Sequence, residues 1–477
     1  MAVAAGAEHT VVVGEDGGVF TFGGGSRGQL GTGGTEHTLN PTRVGGLPPS
    51  SGPVRQVAAG YNHTGIVTEA GDLFMCGAGE NGRLGLGDKD NRTTPTLVAR
   101  AEFDGEAVLM VACGERHTAV LTEGGVVYTF GEGDYGQLGH GDEEDQLAPR
   151  RVSATWFRLD ESVEGPGERI VMVATGFQHT VALSEAGHVF TWGLNSNGQL
   201  GHDDLDDYIL PNPVEGRWFE GQTVVFVAAG GDHTVAVTAA GRLYTWGSGG
   251  YGQLGHGDTR DRLVPTLAGG PTGPAFQGHE GEQVVMAACG LVHTLVVTQD
   301  GGLWACGDGR YGQHGLEDMT SRYEFERVGG STGAAFDGAK VVAGAAGNFH
   351  SAVVTEDGAL WTWGKNRFGQ LSHGDREYRL VPSKVVAANL GNGRIGRCRP
   401  LPTAHALAFS MGTHGRLGAA SPLAALAGES GLLVMIASAA NRWVGGAAGE
   451  CEGLVRLLGG VSAARRRRYV QTTQAGS

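Results

Sequence analysis

Three kinds of residue in this chain stand at spacings that could do chemistry. The stretch "GSGGYGQLGHGD" (247–258) opens with G-x-G-x-x-G, the pattern of a loop that cradles a dinucleotide pyrophosphate. Histidine recurs in one phrase, "AAGGDHTVAV" and its near-copies, at His9, His63, His117, His179, His233, His293 and His350. That number could furnish metal sites. Cys76, Cys113, Cys289 and Cys306 offer thiols within related phrases.

The spacing argues against chemistry for each set. "GGGSRG" (23–28), "GAGENG" (77–82), "GEGDYG" (131–136) and "GDGRYG" (307–312) fit the glycine fingerprint equally well. A pyrophosphate site needs one such loop opening a helix whose N-terminus holds the phosphates, and no helical periodicity follows any copy. The glycines are expected at turns, supplying positive φ and close backbone approach, and no cofactor is expected. Metal ligands cluster or converge on one shell, whereas these histidines are spread one per repeat. They are expected to bond backbone within or between repeats. No cysteine has a matched histidine and acid, so burial is the expected role and covalent catalysis is not.

What positions these residues is a repeat of constant core. Nineteen residues after each histidine stands a glycine: Gly28, Gly82, Gly136, Gly198, Gly252, Gly312 and Gly369. Thirteen further on stands a proline in six copies (Pro41, Pro95, Pro149, Pro211, Pro265, Pro382), replaced by Phe325 in the sixth. Length varies only between this position and the next histidine: 22 residues in three units, 30 after Pro149, 28 after Pro265. Within the core, "HTVAVT" and "GRLYTWG" alternate apolar and polar residues and are rich in β-branched and aromatic types, predicting two strands with a tight turn. Two further short strands fit "VVFVAAG" and "PTLV". Four strands per repeat make one propeller blade, and closing a ring removes sheet edges. The residues before the core glycine of the third strand are Phe22, Cys76, Phe130, Trp192, Trp246, Cys306 and Trp363. They predict a packing layer between blades.

The expected fold is all-β, a seven-bladed β-propeller of four-stranded antiparallel blades over residues 1–385. In residues 386–418 only ten residues separate His405 from Gly415, which reads as a degenerate eighth copy that completes a blade or closes the ring. Residues 419–477 are an Ala/Gly-rich tail, read as poorly ordered, ending near "RRRR" (465–468). A formal charge of −15 disfavours non-specific binding to nucleic acid or anionic membrane, so direct chromatin contact is not expected. No apolar run approaches the ~20 residues of a membrane span, and the start "MAVAAGAEHTVVV" lacks a charged region ahead of an apolar core. The expectation is a monomer inside the cell, cytoplasmic or nuclear, with protein partners.

With "AAGxxHT" and "YGQLGHGD" recurring in fixed register, the chain resembles the regulator of chromosome condensation repeat family. The resemblance spans residues 1–385 in seven copies, with the remnant to 418. It implies a seven-bladed propeller and several possible jobs, among them guanine-nucleotide exchange on the Ran GTPase, ultraviolet-B reception, and service as a module in ubiquitin ligases. Fold does not choose among them. In the family's photoreceptor, tryptophans precede several motif histidines; here the paired positions hold Ala-Glu, Tyr-Asn, Glu-Arg, Phe-Gln, Gly-Asp, Leu-Val and Asn-Phe, which disfavours light sensing. The family's exchange factor is implied to use acidic and histidine residues of one face and a protruding loop near the nucleotide. Here the matching interval is constant in all seven units, although the longer connection after Pro149 could substitute.

The most individual features are "DEED" (Asp142, Glu143, Glu144, Asp145) and the connection Arg150 to Val171, with Trp156, Phe157, Asp160 and Glu161. Long loops on a rigid scaffold are where specificity usually lies, and aromatic residues make interface hot spots. These eight residues are the candidate partner contacts. Removing 153–168 is expected to abolish partner binding and leave the melting temperature nearly unchanged. The leading reading is a protein-interaction scaffold; the alternative is an exchange factor for a Ran-like small GTPase.

Overall fold

The alternating phrases become neighbouring strands. In the computed structural model, which describes residues 3–14, 16–159, 167–268, 283–329 and 335–386, the fifth repeat forms strands Val224–Ala229, His233–Thr238, Leu243–Gly247 and Arg262–Leu267. They pair antiparallel in chain order, with His233 opposite Gly247. The described residues hold seven such four-stranded sheets, at 3–43, 54–98, 108–151, 170–213, 224–267, 284–327 and 341–384. We call them blades 1 to 7. This is the expected propeller, with one continuous repeat per blade.

Packing explains why the middle strands are apolar on both sides. In blade 5 every residue of the second and third strands is buried, whereas most of the outer strand is only partly so. The core lies between blades: Val181, Leu183 and Val189 of blade 4 meet Val227, Ala236, Tyr244 and Trp246 of blade 5. The predicted layer is there, since Phe22, Cys76, Phe130, Trp192, Trp246, Cys306 and Trp363 are all fully buried. Trp192 and Trp363 also donate through Nε1 to Gln137 O (2.9 Å) and Gln313 O (2.8 Å) of the preceding blade. Phe325 fills the place of the missing proline: it is buried against Gly255, where an added Cβ would run into its ring.

The glycine fingerprint is a fastening between blades. Gly252 has φ +80°, and a Cβ on it would sit 2.6 Å from Arg322 O in the next blade's outer strand. Gly230 needs to be glycine for space alone, since a Cβ there would lie 2.5 Å from Gly290 O of blade 6.

Blade 7 meets blade 1 directly: Ala352, Val354 and Leu360 pack on Val3, Val12 and Phe22. Among the described residues the ring closes without exchanging a strand. The expected eighth copy (386–418) lies outside the described residues beyond Val386, as does all of 419–477.

Antiparallel order gives the ring two distinct ends. The turns between first and second strands and the long loops between third and fourth strands emerge at one end, the loop face. The turns between second and third strands and the connections to the next blade emerge at the other, the connection face.

Candidate docking faces

Beneath the loop face lies the histidine layer. Each imidazole Nε2 meets a hydroxyl of the next blade at 2.9–3.0 Å: His9 to Thr64, His63 to Thr118, His117 to Thr180, His179 to Thr234, His233 to Thr294, His293 to Ser351 and, closing the ring, His350 to Thr10. Each hydroxyl in turn donates back to a carbonyl of the histidine's own blade, as Thr64 to Gln29 O (2.7 Å) and Thr10 to Gln370 O (2.9 Å). A hydroxyl has one proton to donate, so each imidazole donates to it from Nε2–H. The partner is therefore a side-chain hydroxyl, where the sequence suggested backbone. All seven Nδ1 atoms are buried without a partner, and burial lowers the pKa to about 4 in His9 and His233 and to about 3 in His117, His179, His293 and His350. Desolvation thus keeps these rings neutral.

Among the described residues no group of His, Cys, Asp or Glu is placed to hold a metal ion. Burial pushes the Cys76 thiol up to about 12. Cys306 bonds Gln253 O of the preceding blade (3.4 Å).

Charge divides the loop face. The loop between the last two strands of blade 3 carries Glu132, Asp134, Asp142, Glu143, Glu144 and Asp145; that of blade 4 carries Asp203, Asp204, Asp206 and Asp207. Neither loop contains Lys or Arg, whereas each of the other five does, ending with Lys365, Arg367 and Arg376 in blade 7. Some of the acids are consumed locally. Asp142 pairs with Arg150 at 2.8 Å, and Glu132 with Arg116 at 3.1 Å. Asp145 accepts from Gly133 N (3.2 Å) and Asn81 of blade 2 (3.1 Å) and meets Lys89 (3.4 Å). Its bond to Gly133 is a repeat feature, matched by Asp207 to Asn195 N (2.6 Å) and Asp261 to Gly249 N (2.8 Å), so counting those aspartates across repeats would have identified it as structural. Glu143 and Glu144 are exposed and have no ion pair among the described residues. On the turns before the second strands of blades 2 and 4, Tyr61 and Phe177 meet edge to face at 6.1 Å.

The connection face separates the two predicted aromatic contacts. Trp156 is 37% exposed, but Phe157 is 2% exposed, with its ring 5.5 Å from Phe190 and 6.0 Å from Trp192 of blade 4. Phe157 is thus a core plug and not a surface contact. Phe103 on Tyr128 (5.4 Å), Phe219 on Tyr244 (5.4 Å) and Phe336 on Trp361 (5.5 Å) do the same beneath blades 3, 5 and 7. The signal was in the sequence: "EFDG", "WFRL", "WFEG" and "AFDG" each put a phenylalanine in the connection. The far end of the 150–171 connection is tied as well, with Glu168 bonded to His188 Nδ1 at 2.7 Å. Removing 153–168 would extract the plug, contrary to the expectation that the fold would not notice. Asp160 and Glu161 lie outside the described residues. Asp142–Asp145 and Trp156 emerge at opposite ends of blade 3, so the structure does not bring the candidate contacts together.

Residues 158–414 match the RCC1-like domain, and residues 16–67, 70–121 and 124–183 match the Regulator of chromosome condensation (RCC1) repeat. The ultraviolet-B receptor UVR8 of Arabidopsis thaliana is 38% identical over 334 residues, 69% of either chain. The secretion-regulating guanine nucleotide exchange factor of Mus musculus is 30% identical over 392 residues, covering 77% of this chain and 78% of its own. The E3 ubiquitin-protein ligase HERC2 of Homo sapiens is 32% identical over 423 residues, 87% of this chain but 8% of the ligase. The solved structure of yeast RCC1 (Prp20) bound to Kap60 superposes with a TM-score of 0.63 at 22% identity, covering 77% of this chain and 83% of that one. At that identity the likeness concerns the fold.

Proposed function

The chain belongs to the regulator of chromosome condensation repeat family, and on that premise we propose that its loop face docks a small GTPase and promotes release of the bound guanine nucleotide. One observation carries the reading: two adjacent blades present long loops with acids and no Lys or Arg, while every other long loop carries both signs. A GTPase holds its nucleotide through a lysine, backbone N–H groups and Mg²⁺ on the phosphates. Carboxylates brought against that site compete with the phosphates for the same cationic partners. No bond is made or broken in the nucleotide, so no covalent chemistry is asked of the propeller. All seven loops have one length, so exchange here would rest on the charge of the blade 3 and 4 loops and not on an enlarged wedge. Likeness to an exchange factor across most of that relative's length supports this reading.

The test is release of fluorescent GDP from a panel of small GTPases. Acceleration well above the intrinsic rate on one of them, lost when Glu143, Glu144, Asp203 and Asp206 are made amides, is the expected result; a flat panel rejects exchange. A second reading, a scaffold for other proteins, has its own observation: Trp156 and Leu159 are 37% and 53% exposed on the connection face. It predicts a partner lost by Trp156→Ala with GDP release unaffected.

A further inference from the structure

At the connection face one third strand differs from the rest. In blades 2 to 7 every residue of that strand is buried, whereas in blade 1 Phe20 is only partly so. Phe20 stands where Phe74, Tyr128, Phe190, Tyr244, Trp304 and Trp361 stand, all 7% exposed or less. In blades 3, 4, 5 and 7 that ring is covered by the plug of the incoming connection, Phe103, Phe157, Phe219 or Phe336, at 5.4–5.5 Å. In blade 2, Leu47 packs on the cluster that holds Phe74. Blade 7 shows the whole arrangement: Lys384 lies over Trp361 at 5.3 Å, and Phe336 meets the same ring edge-on. In blade 1, Arg43 lies over Phe20 in the same way at 5.8 Å. No connection residue covers that ring among the described residues, of which Val386 is the last.

The chain carries a matching plug in register. Phe103, Phe157 and Phe219 each stand five residues after a buried valine at the end of the preceding blade: Val98, Val152 and Val214. Val385 is that valine in blade 7. It is 4% exposed and donates from N to Leu360 O at 2.9 Å, as Val152 does to Val127 O and Val214 to Val189 O at the same distance. Five residues further on stands Leu390. A second signal agrees with the spacing. The residue after the plug is left-handed in three connections, with Asp104 at φ +55°, Glu220 at +53° and Asp337 at +54°. Leu390 is followed by Gly391, the residue that takes this conformation without steric cost.

We propose that Phe20 is the docking site for residues 387–391 of the same chain, with Leu390 as its plug, so that blades 7 and 1 are fastened at the connection face as well as at the loop face. The occupant is intramolecular because Val385 delivers it from the adjoining blade with the five-residue reach that three other connections use, at an effective concentration that a separate chain does not match. The inference stands apart from nucleotide exchange and from partner docking on either face.

The test is amide hydrogen exchange of the full chain, read in strands His9–Val13 and Val19–Gly23 of blade 1 and His233–Thr238 and Leu243–Gly247 of blade 5. Leu390→Ser should speed exchange in the blade 1 strands about tenfold, by easing local opening of a blade that has lost its plug. The blade 5 strands should not change, which also reports that the ring is folded. Leu390→Phe, which installs the residue of the other plugs, should keep the parent's protection. In a Phe20→Ala background Leu390→Ser should add less than about twofold, because the effects of residues in contact do not add. Leu401→Ser, out of register, should change exchange less than about twofold. Indifference to Leu390→Ser, equal effects of Leu390→Ser and Leu401→Ser, or full additivity with Phe20→Ala would overturn the proposal. Protection of the blade 1 strands that rises with protein concentration would give the site to a second copy and overturn the intramolecular plug.

Discussion

The two ends of the ring are fastened by different chemistry. At the loop face each blade is tied to the next by an imidazole, a hydroxyl and a carbonyl in register. At the connection face blades 3, 4, 5 and 7 are tied by a phenylalanine set against an aromatic ring. A hydrogen-bonded relay tolerates little displacement, so the loops above it keep one length and vary in charge. An apolar plug fixes one side chain and leaves the flanking chain free to lengthen, so connections vary in length around it. Length variation therefore marks tolerance at one end, while the run of acids without Lys or Arg collects at the end where length is constant.

Acid should strike the loop end hardest. The seven histidines are neutral in the fold: burial holds the pKa at about 3 to 4 in six of them and well below 6.5 in His63. The unfolded chain takes up protons as pH falls through ~6.5 and the folded chain does not. Stability is therefore full above that value and is lost below it, by about 1.4 kcal/mol per histidine per pH unit until each folded pKa is reached. Seven together rival the entire 5–15 kcal/mol or so of a typical domain, so cooperative unfolding is expected between about pH 6 and 5. Urea midpoints taken from pH 8 downward check this; a slope of one proton or fewer would show that the layer is not the fastening.

At the connection end, Phe157→Ala should cost about 3–5 kcal/mol, the range for emptying a buried aromatic site, at neutral and mildly acid pH alike. Trp156→Ala, one residue earlier, should cost under about 1 kcal/mol. Paired thermal melts decide it, and equal shifts would erase the distinction between plug and surface.

The architecture was legible in the sequence because it is written seven times, with the histidine-to-glycine spacing constant. The site was less so. "DEED" looked individual because it was read in one repeat, whereas Asp145 shares its turn bond with Asp207 and Asp261. Phe157 looked like an interface residue because its plug partner, Phe190, lies in the next blade and 33 positions on. Antiparallel topology also sent Trp156 and the acidic loop to opposite ends, which spacing alone does not reveal.

The smallest effect on stability should come from the acids that give the loop face its character. Glu143→Gln/Glu144→Gln removes two exposed charges with no ion pair among the described residues, so the unfolding free energy should stay within about 0.5 kcal/mol of the parent. If anything, relief of repulsion from Asp134 and Asp142 should raise it. The charges act at a distance, on encounter with a cationic partner, so the change belongs in the association rate. Stopped-flow mixing with the small GTPase that responds in the GDP-release panel should show that rate falling a few-fold at ~50 mM salt, with the difference shrinking by ~300 mM as the Debye length contracts. The dissociation rate should hold, because these side chains steer the encounter. A change confined to the dissociation rate would instead place Glu143 and Glu144 in the contact itself.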